Sequence, residues 1–465
     1  MQQLLAIARL TIKAAFRFRL VTATSLLLLT IVVILPIVIK DDGTARGFTQ
    51  IIITYTLSVI TALLGFVTLW LACGAMARDV EDCSVQTVAV KPIPRWKIWL
   101  GKWLGIMVLN ACLLTASGVA VYYLLQWRAK MLPEAEQYIL NNEVLVARNA
   151  AFPKFEPIED QVEAEYQATI AENPMTEMDR NLIREQIKQR YLLGQQYVPG
   201  GGYSRQWIVE LGARRHFLQD RPLYLRFKFQ TPPEHYERTV GEPPTYPGGF
   251  DVGPPGEGAR IRWTGSWTSK NYHEYPLEPN LFDEEGNLSI VFANFGDLAL
   301  LFPVEDGIQV LYRESGFTMN FARGLGIIFC WLSLLAALGL TAATFLSFPV
   351  AAFMSICALI VAFSGNTMAR VIEEGSLSGV DHETGIAKTT VLDYVVIPFF
   401  KVAVQVVDKV RQYSPVEQLS SGRSIPWSEF SAAVFWMMGV IGGILAATGM
   451  IIFTRRELAT AHNSE

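Results

Sequence analysis

Apolar residues in this chain arrive in two rhythms. Long runs free of charge stand at roughly 20–39, 50–75, 103–125, 322–345, 349–366 and 430–453. A helix needs about 20 apolar residues to cross a hydrocarbon core. The pattern therefore predicts six spanning helices. Ahead of the first run, Leu5, Ala8, Ile12 and Phe16 alternate with Arg9, Lys13 and Arg17 at helical spacing. That pattern predicts an amphipathic helix on a membrane surface. The following run is too long for the core of a signal peptide and lacks a small-residue cleavage site, so it is expected to be retained as a first span.

Between 127 and 320 the rhythm changes. Ile158, Val162, Tyr166 and Ile170 share one helical face, and Ile183, Ile187 and Tyr191 share another. Asn173-Pro174 separates them, and Thr176 with Asp179 suggests a capping box. Past the Pro-Gly-Gly-Gly run at 199–202, read as a hinge or linker, the period falls to two. Leu223, Leu225, Phe227 and Phe229 alternate with Tyr224, Arg226 and Lys228. Similar alternation over 260–267, 287–292 and 308–312 predicts half-buried strands in an antiparallel sandwich. The Pro- and Gly-rich stretch 232–258 reads as a long loop.

The expected fold class is thus an α-helical polytopic membrane protein of about six transmembrane helices. An inserted α+β, mainly β-sandwich, extracytoplasmic domain stands between spans three and four. The expected boundaries are 1–126, with spans one to three and a loop at 76–102; 127–320, helical over 131–198 and sandwich over 205–318; and 321–465, with spans four to six. Val391 to Val407 is apolar but carries Asp393, Pro398, Lys401 and Gln405. A charge at the bilayer centre costs roughly 2.5–3.5 kcal/mol. An interfacial or re-entrant helix within 367–428 is expected instead.

Charge fixes the expected orientation. The N-terminal segment, the 78–102 loop and Arg455-Arg456 are all basic and share one side if there are six spans. Lysine and arginine mark the cytoplasmic side. Both termini are then cytoplasmic and 127–320 faces outward. That segment holds 28 acidic and 19 basic residues, a net of -9 within a chain of -4 overall. The low pI argues against nucleic acid as a partner. Cys73, Cys83, Cys112, Cys330 and Cys357 form no C-x-x-C pair, so neither a zinc site nor a disulfide framework is suggested.

Catalytic signatures are absent from the sequence. There is no G-x-x-x-x-G-K-[ST], so no nucleotide hydrolysis by this chain is expected, and neither G-x-S-x-G nor H-E-x-x-H occurs. His216, His235, His273, His382 and His462 are scattered. Asp283-Glu284-Glu285 before Gly286 reads as a solvated turn. Trp263 and Trp267 share a strand face and read as core in preference to a sugar platform. No span has an ionisable residue near its middle, which counts against ion-coupled transport.

The loop between the second and third spans carries the most information. It runs Arg78-Asp79-Val80-Glu81-Asp82-Cys83-Ser84, then Val88, Ala89, Pro92 and Arg95, with Gly101-Lys102 entering the next span. It resembles the cytoplasmic loop of ABC-2 type permeases, the membrane subunits of ATP-binding-cassette exporters. Cys83 and Ser84 depart from that family's usual Gly-Thr. Leu338-Gly339-Leu340 with Phe348-Pro349, and the ending Ile452 to Leu458, also look like that family. The resemblance covers 1–126 and 322–465, and leaves 127–320 outside.

It implies a coupling loop formed by Arg78, Asp79, Glu81, Asp82, Ser84, Pro92, Arg95 and Lys102. It also implies two P-loop ATPase subunits, which would bind ATP and Mg, while this chain would hold no cofactor and no metal. The implied function is export through a pair of permeases, a second copy or a paralogue, in a cell inner membrane. Two rival expectations stand beside it: a complex that relays hydrolysis to the outer domain without transport, and a membrane-anchored receptor. Gly439, Gly443 and Ala447 put small residues on one face of the last span, where helices can pack closely; packing within the chain is favoured over a dimer seam.

Overall fold

A computed structural model describes residues 2–17, 20–38, 44–81, 93–140, 144–155, 157–172, 177–231, 244–256, 258–364, 368, 372 and 393–455. In chain order the longer helices are α1 (Gln2–Arg17), α2 (Leu20–Val38), α3 (Ala45–Glu81), α4 (Arg95–Ala129), α5 (Glu159–Glu172), α6 (Glu177–Gln196), α7 (Phe317–Ala343), α8 (Phe348–Phe363), α9 (Asp393–Arg411) and α10 (Trp427–Arg455). Two compact units result: Met1–Ala147 with Ser315–Glu465, and Arg148–Glu314.

Among the described residues of the first unit, four helices are long and apolar enough to cross a membrane: Thr49–Asp79 of α3, α4, α7 and α10. By length and composition they mark the chain as a membrane protein. A fifth would be α1 and α2 together, whose Gln2–Arg17 and Thr22–Val32 meet at 71°. The fifth predicted run forms α8, which has 16 residues. At about 1.5 Å per residue those 16 described residues reach less far than a hydrocarbon core about 30 Å thick.

Close approaches of small residues hold this unit together. A Cβ on Gly339 of α7 would stand 2.8 Å from that of Ala72 on α3. Leu57, Ile60 and Leu64 of α3 pack with Ile327, Ile328 and Leu332 of α7 in one buried cluster. Thr68 of α3 donates to Asn110 of α4 at 3.0 Å. The final helix α10 has a π-helical stretch at Val434–Ile441.

Helix α1 packs closely on another helix of this unit. It runs along the first half of α4, because two glycines there leave room. A Cβ on Gly101 would meet Ile7 at 2.8 Å, and one on Gly105 would meet the Ala8 carbonyl at 2.7 Å. The segment with Asp393 and Pro398 forms α9, whose Lys409 sits 4.8 Å from the Trp436 ring. It is not among the helices apolar enough to span.

The second unit is a β-sheet region with a helical hairpin. One sheet has the order β1-β10-β4-β7, from Val146–Ala151, Ile308–Gly316, Leu223–Phe227 and His273–Leu277, with β10–β4 and β4–β7 antiparallel. The other has the order β3-β8-β5-β6, from Ser204–Glu210, Asn287–Asn294, Thr245–Gly253 and Ile261–Thr268. Tyr197–Val198 (β2) pairs with Leu300–Leu301 (β9). The inward residues of both sheets make one core, with Phe227 of the first 4.5 Å from Phe250 of the second, ring to ring. Trp267 is buried in it, and Trp263 packs against it. Hairpin α5–α6 closes on Val162, Ile187, Tyr166 and Tyr191.

Three expectations in this unit need correction. The stretch read as a loop over 232–258 contains β5, an interior strand. Its glycines are there because neighbouring side chains fill the space above them: a Cβ on Gly248 would lie 2.6 Å from the Phe292 ring, and one on Gly253 2.6 Å from Arg260. The Pro-Gly-Gly-Gly run is no hinge. Gly201 and Gly202 donate to the carbonyls of Gly296 (2.8 Å) and Asn294 (2.7 Å), with φ of +84° and +87° that glycine alone adopts freely. The region read as helical over 131–198 also includes strand β1. The expected capping box begins at Thr176, outside the described residues.

Candidate functional site

Helix α3 is described to Glu81 and α4 begins at Arg95, so Arg78, Asp79, Glu81, Arg95 and Lys102 of the candidate coupling loop sit on the two helices that flank it. Asp82, Ser84 and Pro92, with Cys83, Val88 and Ala89, lie outside the described residues. The other five are brought together at one end of the helical unit.

Lys102, seven residues into α4, is 5% exposed. Its ammonium donates to the Asp79 carboxylate and to the carbonyl of Ala75, both on α3. The Asp79 side chain stays 46% exposed. Burying the cation this deeply requires both acceptors, because an isolated buried ammonium is very costly.

Arg95 reaches to the far end of the chain. Its Nη1 donates to the carbonyls of Phe453 (3.1 Å) and Thr454 (2.9 Å). Both carbonyls are on α10 beside Arg455 and give the guanidinium two acceptors. Glu81 does the converse for α8: its Oε1 accepts from the backbone N–H of Phe348 at 2.9 Å, placing an acid where a helix start favours one. The guanidinium of Arg78 lies 5.0 Å from the centre of the same Phe348 ring. Two charged residues on α3 therefore engage α8, one ties α3 to α4, and one on α4 engages α10.

Those long-range partners were not legible in the sequence. The signals were indirect: Ser347-Phe348-Pro349 marks a helix start with proline in its first turn, and a final span has open carbonyls wherever it ends. The small residues expected on one packing face of α10 are open within this single chain. Among the described residues, a Cβ added to Gly439 or Gly443 would meet nothing within 4 Å, and Ala447 is exposed. The glycine of α10 that packs on other helices is Gly449, where a Cβ would meet Thr341 and Trp99.

The helical unit has two notable cavities. One of about 530 Å³ lies between α4 and α7, lined by Leu114, Gly118, Tyr122, Phe321 and Leu325 among others. Its polar edge is the Tyr122–Thr318 hydroxyl pair at 3.0 Å. Another of about 160 Å³ lies between α1, α3 and α4. Among the described residues, no three of His, Cys, Asp and Glu gather to hold a metal. No protein-family profile, characterised protein or solved structure matches this chain.

Proposed function

We propose that the chain is the membrane subunit of an ATP-driven exporter of the ABC-2 type, which passes force from separate ATPase subunits through residues 78–102 into its helices. The reading rests on the loop sequence. What supports it is the bonding at the loop's two ends, where Arg78, Glu81 and Arg95 reach the start of α8 and the end of α10. A push on such a loop acts on four helices at once, as rigid-body rocking requires. In this reading both termini are cytoplasmic and Arg148–Glu314 faces outward. The chain then acts with a second permease, for which α10 is suited: its apolar window is 22% buried, against 50–56% for the other three.

The test is purification of the full-length chain from its own membranes. An ATPase should accompany it, and Asp82→Lys should remove that ATPase. Asp79 and Glu81 make poor probes because each holds a structural bond. Recovery of the chain with no ATPase under mild extraction refutes the reading.

A second reading, relay of motion to the outer unit without transport, draws on one observation. The stretch from Lys130 to Gly316 between α4 and α7 is far larger than a connection between two spans needs. Hydrolysis that persists in the reconstituted complex while no solute crosses favours the relay.

A further inference from the structure

We infer that the sheet unit pairs edge to edge with a second copy of itself through strand β6. The outer strand of a sheet leaves a row of backbone N–H and C=O groups open to another chain. Folds blunt such edges with short strands, charge, proline, bulges or a covering segment. The outer strands β1, β3 and β7 of the two larger sheets each carry such a device. Beside β3, the backbone N–H of Lys154 donates to the carbonyl of Ile208 at 2.9 Å, and Pro153 bridges to Val209. Strand β7 has five residues, Glu274 and Pro276 among them. Strand β1 has six and carries Arg148.

Strand β6 is built differently. It runs eight residues without proline, and its single charged side chain is Arg262. That guanidinium donates to Asp251 of β5 at 2.8 Å. The register with β5 is unbroken from Thr245↔Thr268 to Val252↔Ile261, so no bulge turns the edge aside. Among the described residues, no strand pairs with the far side of β6.

The strand's own sequence selects the occupant. Its one charge is already answered by Asp251, which leaves little for a foreign strand to recognise. At its end the Thr268 carbonyl is engaged by the His273 ring at 2.9 Å. The open stretch is therefore 261–267, with Thr264 at its middle. Antiparallel pairing about a two-fold axis there sets Thr264 against its own copy and Arg262 against Ser266. Like charges do not meet, and a threonine pair is a favourable cross-strand partner. On the inward face Trp263 comes opposite Gly265, where an aromatic ring covers an edge glycine. A two-fold contact has to complement itself in this way. The product is one continuous sheet of eight strands, four from each copy, a size that open sheets reach.

The test uses the full-length chain in its membrane. With its own cysteines replaced, Thr264→Cys should give a disulfide-linked dimer on mild oxidation. Directly opposed Cα atoms stand about 4.5–5.5 Å apart, within disulfide reach. Ile208→Cys, exposed at the other edge of the same sheet, should give none. A second arm keeps the native cysteines. Differently tagged Thr264→Lys and Thr264→Glu chains, expressed together, should co-purify about fivefold better than either does with itself, the upper end for opposed side chains. A disulfide yield from Thr264→Cys no greater than from Ile208→Cys overturns the inference. So does a Thr264→Cys chain linked to another protein in place of its copy, or a mixed pair that shows no preference, as a dimer held by its spans alone would give. A linked dimer purified without any ATPase leaves the inference standing and refutes only the exporter reading.

Discussion

Glu274 shows what a single residue can hold. It lies on β7, 7% exposed, between the guanidinium groups of Arg148 on β1 and Arg226 on β4. Both arginines are nearly buried, and Arg148 also stacks on Tyr224. Glu274→Gln leaves two buried cations facing a neutral amide. Removing one partner of a buried ion pair costs about 3–5 kcal/mol, so amide exchange in β4 and β7 should quicken accordingly. Beside them Gln309 is fully buried with both amide atoms lacking a hydrogen-bond partner among the described residues. Gln309→Leu should therefore stabilise the sheet, visible as slower exchange in β10.

Titration also acts residue by residue. The hydrogen bond from Lys228 to Asp306 holds the ammonium above its ordinary value, and the charge of Asp306 adds to this. Its stabilising effect is present in full below the unfolded value near 10.5 and is lost as pH rises through the higher folded value. Asp251 goes the other way. Burial alone would raise it, but hydrogen bonds from Arg260 and Arg262 outweigh burial and hold it low. That contribution is present above about pH 3.9, where a free aspartate ionises, and fades as pH falls through the lower folded value. Proteolysis of the sheet unit should accordingly speed up at both extremes. Asp306→Asn should remove the alkaline part only.

Elements were legible where a side chain answers only to its own strand or helix. Leu223, Leu225 and Phe227 point inward at period two and are fully buried, so β4 could be read directly. The apolar runs at 50–75 and 103–125 likewise became α3 and α4. Strand β5 could not be read, because its glycines answer to Phe292 on β8 and Arg260 before β6. Nothing local announces an aromatic ring arriving from forty residues away. The same holds at the candidate site, where charge pattern marked Glu81 and Arg95 but not their partners on α8 and α10. Gly248→Ala should cost about 1–3 kcal/mol, as overpacked cores do, and lower the temperature at which the sheet unit loses its tryptophan signal. Glu81→Gln should fray the first turn of α8 by about 1 kcal/mol, the usual worth of such a contact, seen as faster exchange at Ala351 and Ala352.

For the whole molecule the measurable question is sidedness. The proposed orientation places Lys188 of α6 outside and the 82–92 loop inside. A cysteine at Lys188, in a chain whose own cysteines are replaced, should react with an impermeant maleimide added to intact cells. One at Asp82 should react only after lysis. The reverse pattern would invert the topology and remove any ATPase from reach of the loop.

The order β1-β10-β4-β7 sets a timetable for synthesis. The first and last strands of the sheet unit are neighbours, and β10 also pairs with β4. While the ribosome is still short of residue 308, β4 and β7 have no strand to join them to β1. The sheet closes only when β10 emerges, and Phe317 of α7 follows at once. The sheet unit therefore matures as the next hydrophobic helix leaves the ribosome, and a nascent chain stalled just before it would expose two unfinished strand edges to chaperones.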